Sequence, residues 1–358
     1  MTGSPGSASA DPAAAAPAVL MVGVNWIGDA VMSMPAVQAW RALNPAARLT
    51  MLVKPPLAPL WRMHAAPDDV AAIEPGSLGA VRTGLALRAR HFDRAYILPH
   101  SFRAAWIAAW SGAPERIGLP GLARGLLGVR VVQSRSGPDR AHQQFEYLDL
   151  LLGPGAAAAP EPPRLRIPPE AAASAARWLA GLPAGPRVAM MSGAARGPAK
   201  RWPVERFAEA ARRLAADHGC AVIALGSPAE AADAAAIAAA AGGRGLSLAG
   251  RTDISQWAAV LAGCALAVSN DSGGMHLAAA AGTPVVAVFG RTDPGRTGPL
   301  GPLCDVVQAP GARSRDIGRE DEDAVRRLAA VTVDEVMDRC VRRLARGGAT
   351  GGGRSCVP

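Results

Sequence analysis

The sequence predicts an α/β protein made of two Rossmann-like, doubly wound domains that face each other across a central cleft. Three observations point to it. From Arg187 onward, short apolar runs alternate with helix-like segments at the period of βαβ units. Two polar, small-residue turns, Asn25 to Ala30 and Asn270 to His276, each follow an apolar run and open a helical stretch. Between the two halves, Gly153 to Pro169 is rich in Pro, Gly and Ala and interrupts the alternation.

In the first half, strands are expected at Val19 to Val24, Leu49 to Val53 and Ala95 to Leu98, with a helix from about Ala30 to Leu43. In the second half they are expected at Val188 to Ser192, Ala221 to Gly226, Leu246 to Ala249, Leu266 to Ser269 and Pro284 to Phe289. Helices starting near Pro203, Pro228, Asp253 and Gly273 join them, each opened by a residue type that suits a helix start. Apolar strands joined by helices imply parallel sheets.

The resulting organisation is a disordered leader at 1–18, a first domain at 19–152, a linker region at 153–186 and a second domain at 187–331. A helix at 332–346 follows, with Thr332 as N-cap and Glu335 completing a capping box, and then a flexible tail at 347–358. The leader has neither the basic start nor the apolar centre of a secretory signal. No run of 18 or more strongly apolar residues is present, so no membrane span is expected.

Composition narrows the function classes. Half the residues are apolar, a share inflated by alanine, and aromatics are only 4%, so the cores must rely on Leu, Val, Ala and the eight Trp. Trp106, Trp110 and Trp257 are assigned to the core rather than to sugar stacking. The five cysteines (Cys220, Cys264, Cys304, Cys340, Cys356) are widely spaced and form no C-x-x-C pair, which suits reduced thiols in the cytoplasm. A net charge of +9 suits a phosphorylated substrate or an anionic membrane surface. Nucleic acid is disfavoured, because no basic run is interleaved with aromatics. No protein partner can be deduced.

The strand-to-helix turns are where the chemistry is expected. At the carboxyl edge of a parallel sheet, free backbone N–H groups and the positive helix end can hold a phosphate. The first turn is neither G-x-G-x-x-G nor a Walker loop, which argues against nicotinamide enzymes and P-loop ATPases. Asp29, in the first turn of its helix, is either a carboxylate that suits the macrodipole or a proton acceptor facing the cleft. Of 38 basic residues 36 are arginine, leaving Lys54 and Lys200. Lys200 is either retained by chance or placed where a compact ammonium is required. His276 is either a packing histidine or a site residue, and Arg103 a possible anion contact. The six histidines show no metal spacing, and Asp321-Glu322-Asp323 is read as a solvated face rather than a metal motif.

Four separated motifs carry a resemblance. Asn25-Trp26-Ile27-Gly28-Asp29-Ala30-Val31-Met32 is the first, and Ser101-Phe102-Arg103 with Arg116-Ile117-Gly118 and Arg124-Gly125-Leu126-Leu127 the second. Gly197-Pro198-Ala199-Lys200-Arg201-Trp202-Pro203 and Asn270-Asp271-Ser272-Gly273 with His276 complete the set. Together they resemble the ADP-heptose:lipopolysaccharide heptosyltransferases of glycosyltransferase family 9, over roughly residues 19 to 345, with the first motif favouring type II over type I.

The resemblance implies a GT-B fold and an inverting transfer of L-glycero-D-manno-heptose from ADP-heptose to the first heptose of the lipopolysaccharide inner core. By the same resemblance Asp29 is the general base, Lys200 meets the donor diphosphate, and Asp271, Ser272, Gly273 and His276 form the donor-binding turn. Glu230 and Ser192 are placed on the donor side, and Asn25, Trp26, Gly28 and Arg103 on the acceptor side. No metal or other cofactor is expected. The expected partners are ADP-heptose and a lipid A-core acceptor, met at the cytoplasmic face of the inner membrane. Alternatives are a family 9 enzyme with another acceptor (type I or III), a non-catalytic nucleotide-sugar-binding module, or a hydrolase or epimerase sharing the two-domain fold. Two places depart from the family pattern: Gly274, where helix stability and adenosine packing are at stake, and the turn Arg291-Thr292-Asp293-Pro294, which could alter the donor phosphate environment.

Overall fold

The computed structural model describes residues 16–135, 140–156, 160–311, 313–314 and 317–349. Residues 1–15 of the expected leader, 157–159 of the expected linker and 350–358 of the expected tail lie outside the described residues, as does Cys356.

The first domain runs β1 (Ala18–Val22), α1 (Ile27–Leu43), β2 (Arg48–Val53), α2 (Ala58–Arg62), β3 (Asp69–Ala72), α3 (Gly76–Arg88), β4 (Arg94–Ile97), α4 (Phe102–Trp110), β5 (Glu115–Gly118), β6 (Val129–Val131) and α5 (Gln144–Leu152). The second runs α6 (Pro169–Ala180), β7 (Arg187–Met191), α7 (Val204–His218), β8 (Ala221–Ala224), α8 (Ala231–Ala240), β9 (Gly245–Ser247), α9 (Ile254–Ala262), β10 (Leu266–Asn270), α10 (Gly273–Ala280), β11 (Val285–Phe289), α11 (Pro294–Thr297), β12 (Cys304–Gln308), α12 (Glu322–Ala330) and α13 (Val333–Ala349).

Each domain holds one six-stranded parallel sheet, in the orders β3-β2-β1-β4-β5-β6 and β12-β11-β10-β7-β8-β9. Read in chain order within its domain, each is the doubly wound 3-2-1-4-5-6 arrangement, with the direction of winding reversing between β1 and β4 and between β7 and β10. The central strands β1, β8, β10 and β11 are almost wholly buried, as strands covered by helices on both faces must be. The expected strands are all present. Those not foreseen (β3, β5, β6 and β12) are three to five residues long and mostly half-exposed, so they lack the apolar run that marks a buried strand.

Helix α1 begins at Ile27, three residues before its expected start, and continues through Pro35. An interior proline costs about 3 kcal/mol. Burial of every residue from Ala30 to Val37 offsets it. The region expected to be linker contains α6, which packs on α9 in the second domain. α13 carries the expected cap, with Thr332 N–H donating to Glu335 (2.7 Å) and Glu335 N–H to Thr332 Oγ1 (3.2 Å). It extends to Ala349, past the expected end at 346.

Apolar burial forms three layers. One fills the outer face of the first sheet and one the outer face of the second. The third is shared: it runs from Trp40 and Leu148 under the first sheet to Met275 and Phe289 under the second, so the domains meet through packed side chains. Helices α1 and α10 lie against each other in this seam. Trp257 and Trp106 are both half-buried, but Trp257 packs against the shared core while Trp106 stacks on Phe102, and Trp110, at the end of α4, is 38% exposed.

Candidate active site

Two helices start at the seam with their first N–H groups uncapped by any side chain. α1 follows Trp26 and α10 follows Ser272, and neither N-cap side chain bonds back to its helix. Ser101, Asp253, Asp293 and Asp321 cap α4, α9, α11 and α12 through their side chains, while α3, α6 and α7 also start without one but do not line the cleft. The uncapped N–H groups retain their hydrogen-bonding capacity and the positive end of the helix dipole.

The two starts touch. A Cβ on Gly28 would lie 2.9 Å from His276 Cδ2, and one on Gly273 would lie 2.9 Å from Ile27 Cβ. Glycine at both positions lets the helix ends approach to backbone contact. A cleft of about 300 Å³ opens beside the contact, lined by Trp26, Gly28, Asp29, Met32, Gln143 and Glu146 from the first domain. Ala195, Arg196, Lys200, Asp271, Ser272, Gly273, His276, Thr292, Asp293, Arg296, Thr297 and Ser314 line it from the second.

Asp29 occupies the third position of α1. Burial pushes its carboxyl above the usual range, and Arg196, a bond from Gln143 and Lys200 pull the other way. On the facing wall Lys200 Nζ lies 2.5 Å from Asp271 Oδ2, which also accepts from Thr292 Oγ1 at 2.7 Å. Asp271 is 7% exposed. Asn270 braces the wall, donating from Nδ2 to the Ser192 carbonyl (2.6 Å) and accepting the Trp202 N–H on Oδ1 (3.0 Å). His276 is buried with no partner for Nδ1, and burial lowers its pKa to about 4, so the ring is neutral at ordinary pH.

The residues singled out in the sequence divide three ways. Asp29, Trp26, Gly28, Lys200, Asp271, Ser272, Gly273 and His276 converge on the cleft. Asn25 and Arg103 instead line a second cavity of about 400 Å³ on the first domain, with Lys54, Glu74 and Ser101. Arg103 Nη2 donates there to the Glu74 and Gly76 carbonyls at 3.2 and 2.8 Å. The β1–α1 turn joins the two spaces, since Asn25 lines one and Trp26 the other. Ser192 and Glu230 line neither. Ser192 is buried and its carbonyl is bonded, while Glu230 accepts the Ser227 N–H (2.7 Å) beside Gly193.

Gln143, Glu146, Arg196 and Arg296 went unnoticed in the sequence, and Thr292 stands out there only as part of the turn that departs from the family pattern. Among the described residues, neither Arg196 nor Arg296 forms an ion pair, whereas Lys200 is committed to Asp271. The basic-residue bias hid them: with 36 arginines, nothing local marks the two that face a cleft.

The departures resolve physically. Gly274 faces Met191, whose Sδ would lie 2.7 Å from an added Cβ, so a side chain already fills that space. Arg291 turns to α12, pairing with Asp321 (2.9 Å) and Asp323 (3.6 Å). The charged stretch there is therefore not simply a solvated face: Asp321 caps α12 and is about three-quarters buried. Among the described residues no group of three or more His, Cys, Asp or Glu could hold a metal ion.

The two doubly wound domains that meet at this cleft have the GT-B fold, and the cleft suits a glycosyltransferase: a carboxylate at the start of α1 faces the Lys200–Asp271 pair that precedes α10. The family model for glycosyltransferase family 9 (heptosyltransferase) matches residues 80–324. Lipopolysaccharide heptosyltransferase 2 of Escherichia coli K12 is 32% identical over 313 residues, covering 81% of this chain and 87% of the relative. Lipooligosaccharide heptosyltransferase 2 of Haemophilus ducreyi is 30% identical over 317 residues, covering 81% and 88%. The solved structure of E. coli ADP-heptose lipopolysaccharide heptosyltransferase II superposes with a TM-score of 0.78 at 27% identity, over 92% of this chain and 99% of that one. A family 9 structure from Veillonella parvula shares the fold with a TM-score of 0.82 at 19% identity, over 92% and 98%. The chain belongs to glycosyltransferase family 9, the heptosyltransferases.

Proposed function

We propose that the enzyme is a type II heptosyltransferase: it moves L-glycero-D-manno-heptose from ADP-heptose to the first heptose of a lipopolysaccharide inner core, with inversion. The observation that carries this is the placement of Asp29 opposite the Lys200–Asp271 pair in a single cleft. The relatives named lipopolysaccharide heptosyltransferase 2 support the choice of donor and acceptor.

In this mechanism Asp29 accepts the proton of the acceptor hydroxyl as the oxygen attacks the anomeric carbon. The C–O bond to the diphosphate breaks on the opposite face, and ADP leaves with the pair of electrons. A base on one side and charge neutralisation on the other require opposed walls, which the two domains supply. The departing phosphates meet the open start of α10, the Lys200 ammonium and the guanidinium groups of Arg196 and Arg296. Asp271 anchors Lys200 and tempers its charge. No resident cofactor is assigned.

The second cavity takes the rest of the acceptor. It adjoins the cleft through Asn25, is largely apolar, and presents Lys54 and Arg103, which suit acidic groups on a core oligosaccharide. The enzyme works at the cytoplasmic surface of the inner membrane. Among the described residues no helix is long and apolar enough to cross a membrane.

The test is ADP release from ADP-heptose with lipopolysaccharide acceptors truncated after the first heptose or before it. Turnover that requires the one-heptose acceptor is expected. Turnover only with the heptose-free acceptor makes the enzyme type I, and none with either overturns the proposal.

A further inference from the structure

The segment entering α5 bonds to both domains at once. Gln143 Nε2 donates to Tyr147 Oη at 2.9 Å and to Asp29 Oδ1 at 3.5 Å, while the Gln143 backbone N–H donates to the Arg296 carbonyl, 2.9 Å away in the second domain. Its neighbour makes a second crossing. His142 Nδ1 accepts the Gln144 N–H at 3.2 Å, which leaves the ring proton on Nε2, 3.0 Å from the Gly298 carbonyl. Burial holds His142 below the ordinary histidine range, so this neutral form persists at neutral pH.

Both crossings pair groups that helix geometry leaves unsatisfied. Arg296 and Gly298 stand at the carboxyl end of α11, whose last carbonyls have no partner within the helix. These bonds exist only while the domains are in contact. α11 is also tied to the facing wall, since Thr292, just before its cap Asp293, donates to Asp271, the partner of Lys200. A connected path therefore runs from Lys200 through Asp271, Thr292 and α11 to Gln143 and Asp29.

We propose that Gln143 is a positioning residue that makes the orientation of the Asp29 carboxylate depend on contact between the two domains. The base is then aligned when the wall that carries the donor closes on it. The proposal rests on Asp29 being the base.

The test compares Gln143→Leu, Gln143→Asn, His142→Ala and Asp29→Asn in steady-state ADP release, with calorimetric ADP affinity as the check on folding. Gln143→Leu is expected to lower kcat roughly tenfold to a hundredfold with the donor KM and ADP affinity unchanged. It should also move the acidic limb of the kcat profile to higher pH, because a donor that favours the charged carboxylate is lost. The other groups that face Asp29 remain: Arg196 and Lys200 from the loop after β7, Glu146 and Tyr147 from α5, and His276 from α10. Gln143→Asn, too short to span the gap, should behave similarly and keeps the test open if the leucine variant folds poorly. His142→Ala weakens the crossing without touching Asp29 and should lower kcat severalfold.

An inactive Asp29→Asn enzyme alongside Gln143 variants with the parent kcat and pH limb overturns the proposal and leaves the base intact. Unchanged kcat in His142→Ala overturns the dependence on domain contact. Full turnover by Asp29→Asn instead removes the base assignment itself.

Discussion

Lys200 Nζ and Asp271 Oδ2 lie 2.5 Å apart although 71 residues separate them in the chain, and both side chains are largely buried. The pair shows why a cation placed for a phosphate is not simply a free charge. A buried ammonium without a counter-ion carries a desolvation penalty of several kcal/mol. Asp271 offsets it and fixes the position of Nζ, and Thr292 in turn holds the carboxylate.

Breaking this pair from one side should cost stability as well as activity. Lys200→Ala leaves the Asp271 carboxylate buried without its cation, so unfolding by urea should show a loss of about 3–5 kcal/mol. Adding Asp271→Asn should restore a substantial part of that loss while ADP-heptose binding stays weak. Equal and additive losses in the double-mutant cycle would show that the two groups are not coupled.

Asp29 should trade stability for chemistry. Its pKa is raised in the folded enzyme, so the stability linked to protonating it is present at low pH and lost as pH rises through the folded value. At pH 7 to 8 the ionised carboxylate is a net burden. Asp29→Asn should therefore melt at a higher temperature than the parent while turning over about 10²–10⁴-fold more slowly. A variant that melts lower would contradict the assigned burial of this group.

The contact between helix starts should tolerate no added atoms. Gly28→Ala places a methyl group 2.9 Å from the His276 ring, which has no room to retreat because it is itself buried. The domains should then remain folded but meet imperfectly, with kcat/KM lowered about a hundredfold and melting little changed. Small-angle scattering of the variant with and without ADP should show the altered closure.

His64 and His276 should make the enzyme sensitive to acid. Burial lowers both from 6.5 to about 4, so the stability they supply is complete above 6.5 and is lost as pH falls through 4. Each accounts for on the order of 3 kcal/mol. His64 lies away from the cleft, hydrogen-bonded to Gln38 at 3.0 Å. His64→Leu should flatten the fall in stability between pH 6.5 and 4 without changing donor affinity, as thermal melts across that range will report.

Acceptor and donor contacts should separate kinetically. Lys54→Ala and Arg103→Ala, at the second cavity, should each raise the acceptor KM about 3- to 10-fold, the modest effect of exposed cations. ADP affinity should not move. High salt should reproduce part of the effect, since exposed charges are screened.

The sequence by itself determined the two parallel sheets, the two strand-to-helix turns and those cleft residues that the turns and the Lys200 loop carry. Those signals are local: an apolar run long enough for a buried strand, then a short polar turn, then helical spacing. They identify Asp29 and Asn270 to His276 because each turn sits at the carboxyl edge of its strand whatever the rest of the chain does. Edge strands such as β6 and β12 stayed illegible, being short and half-exposed. Only the tertiary structure decided which residues share the cleft. Gln143 is 114 residues from Asp29, and Arg196 and Arg296 are two arginines among 36. Their significance comes from side chains meeting across a domain boundary, and such pairings are set by the packing of whole sheets and helices, which leaves no periodic trace along the chain.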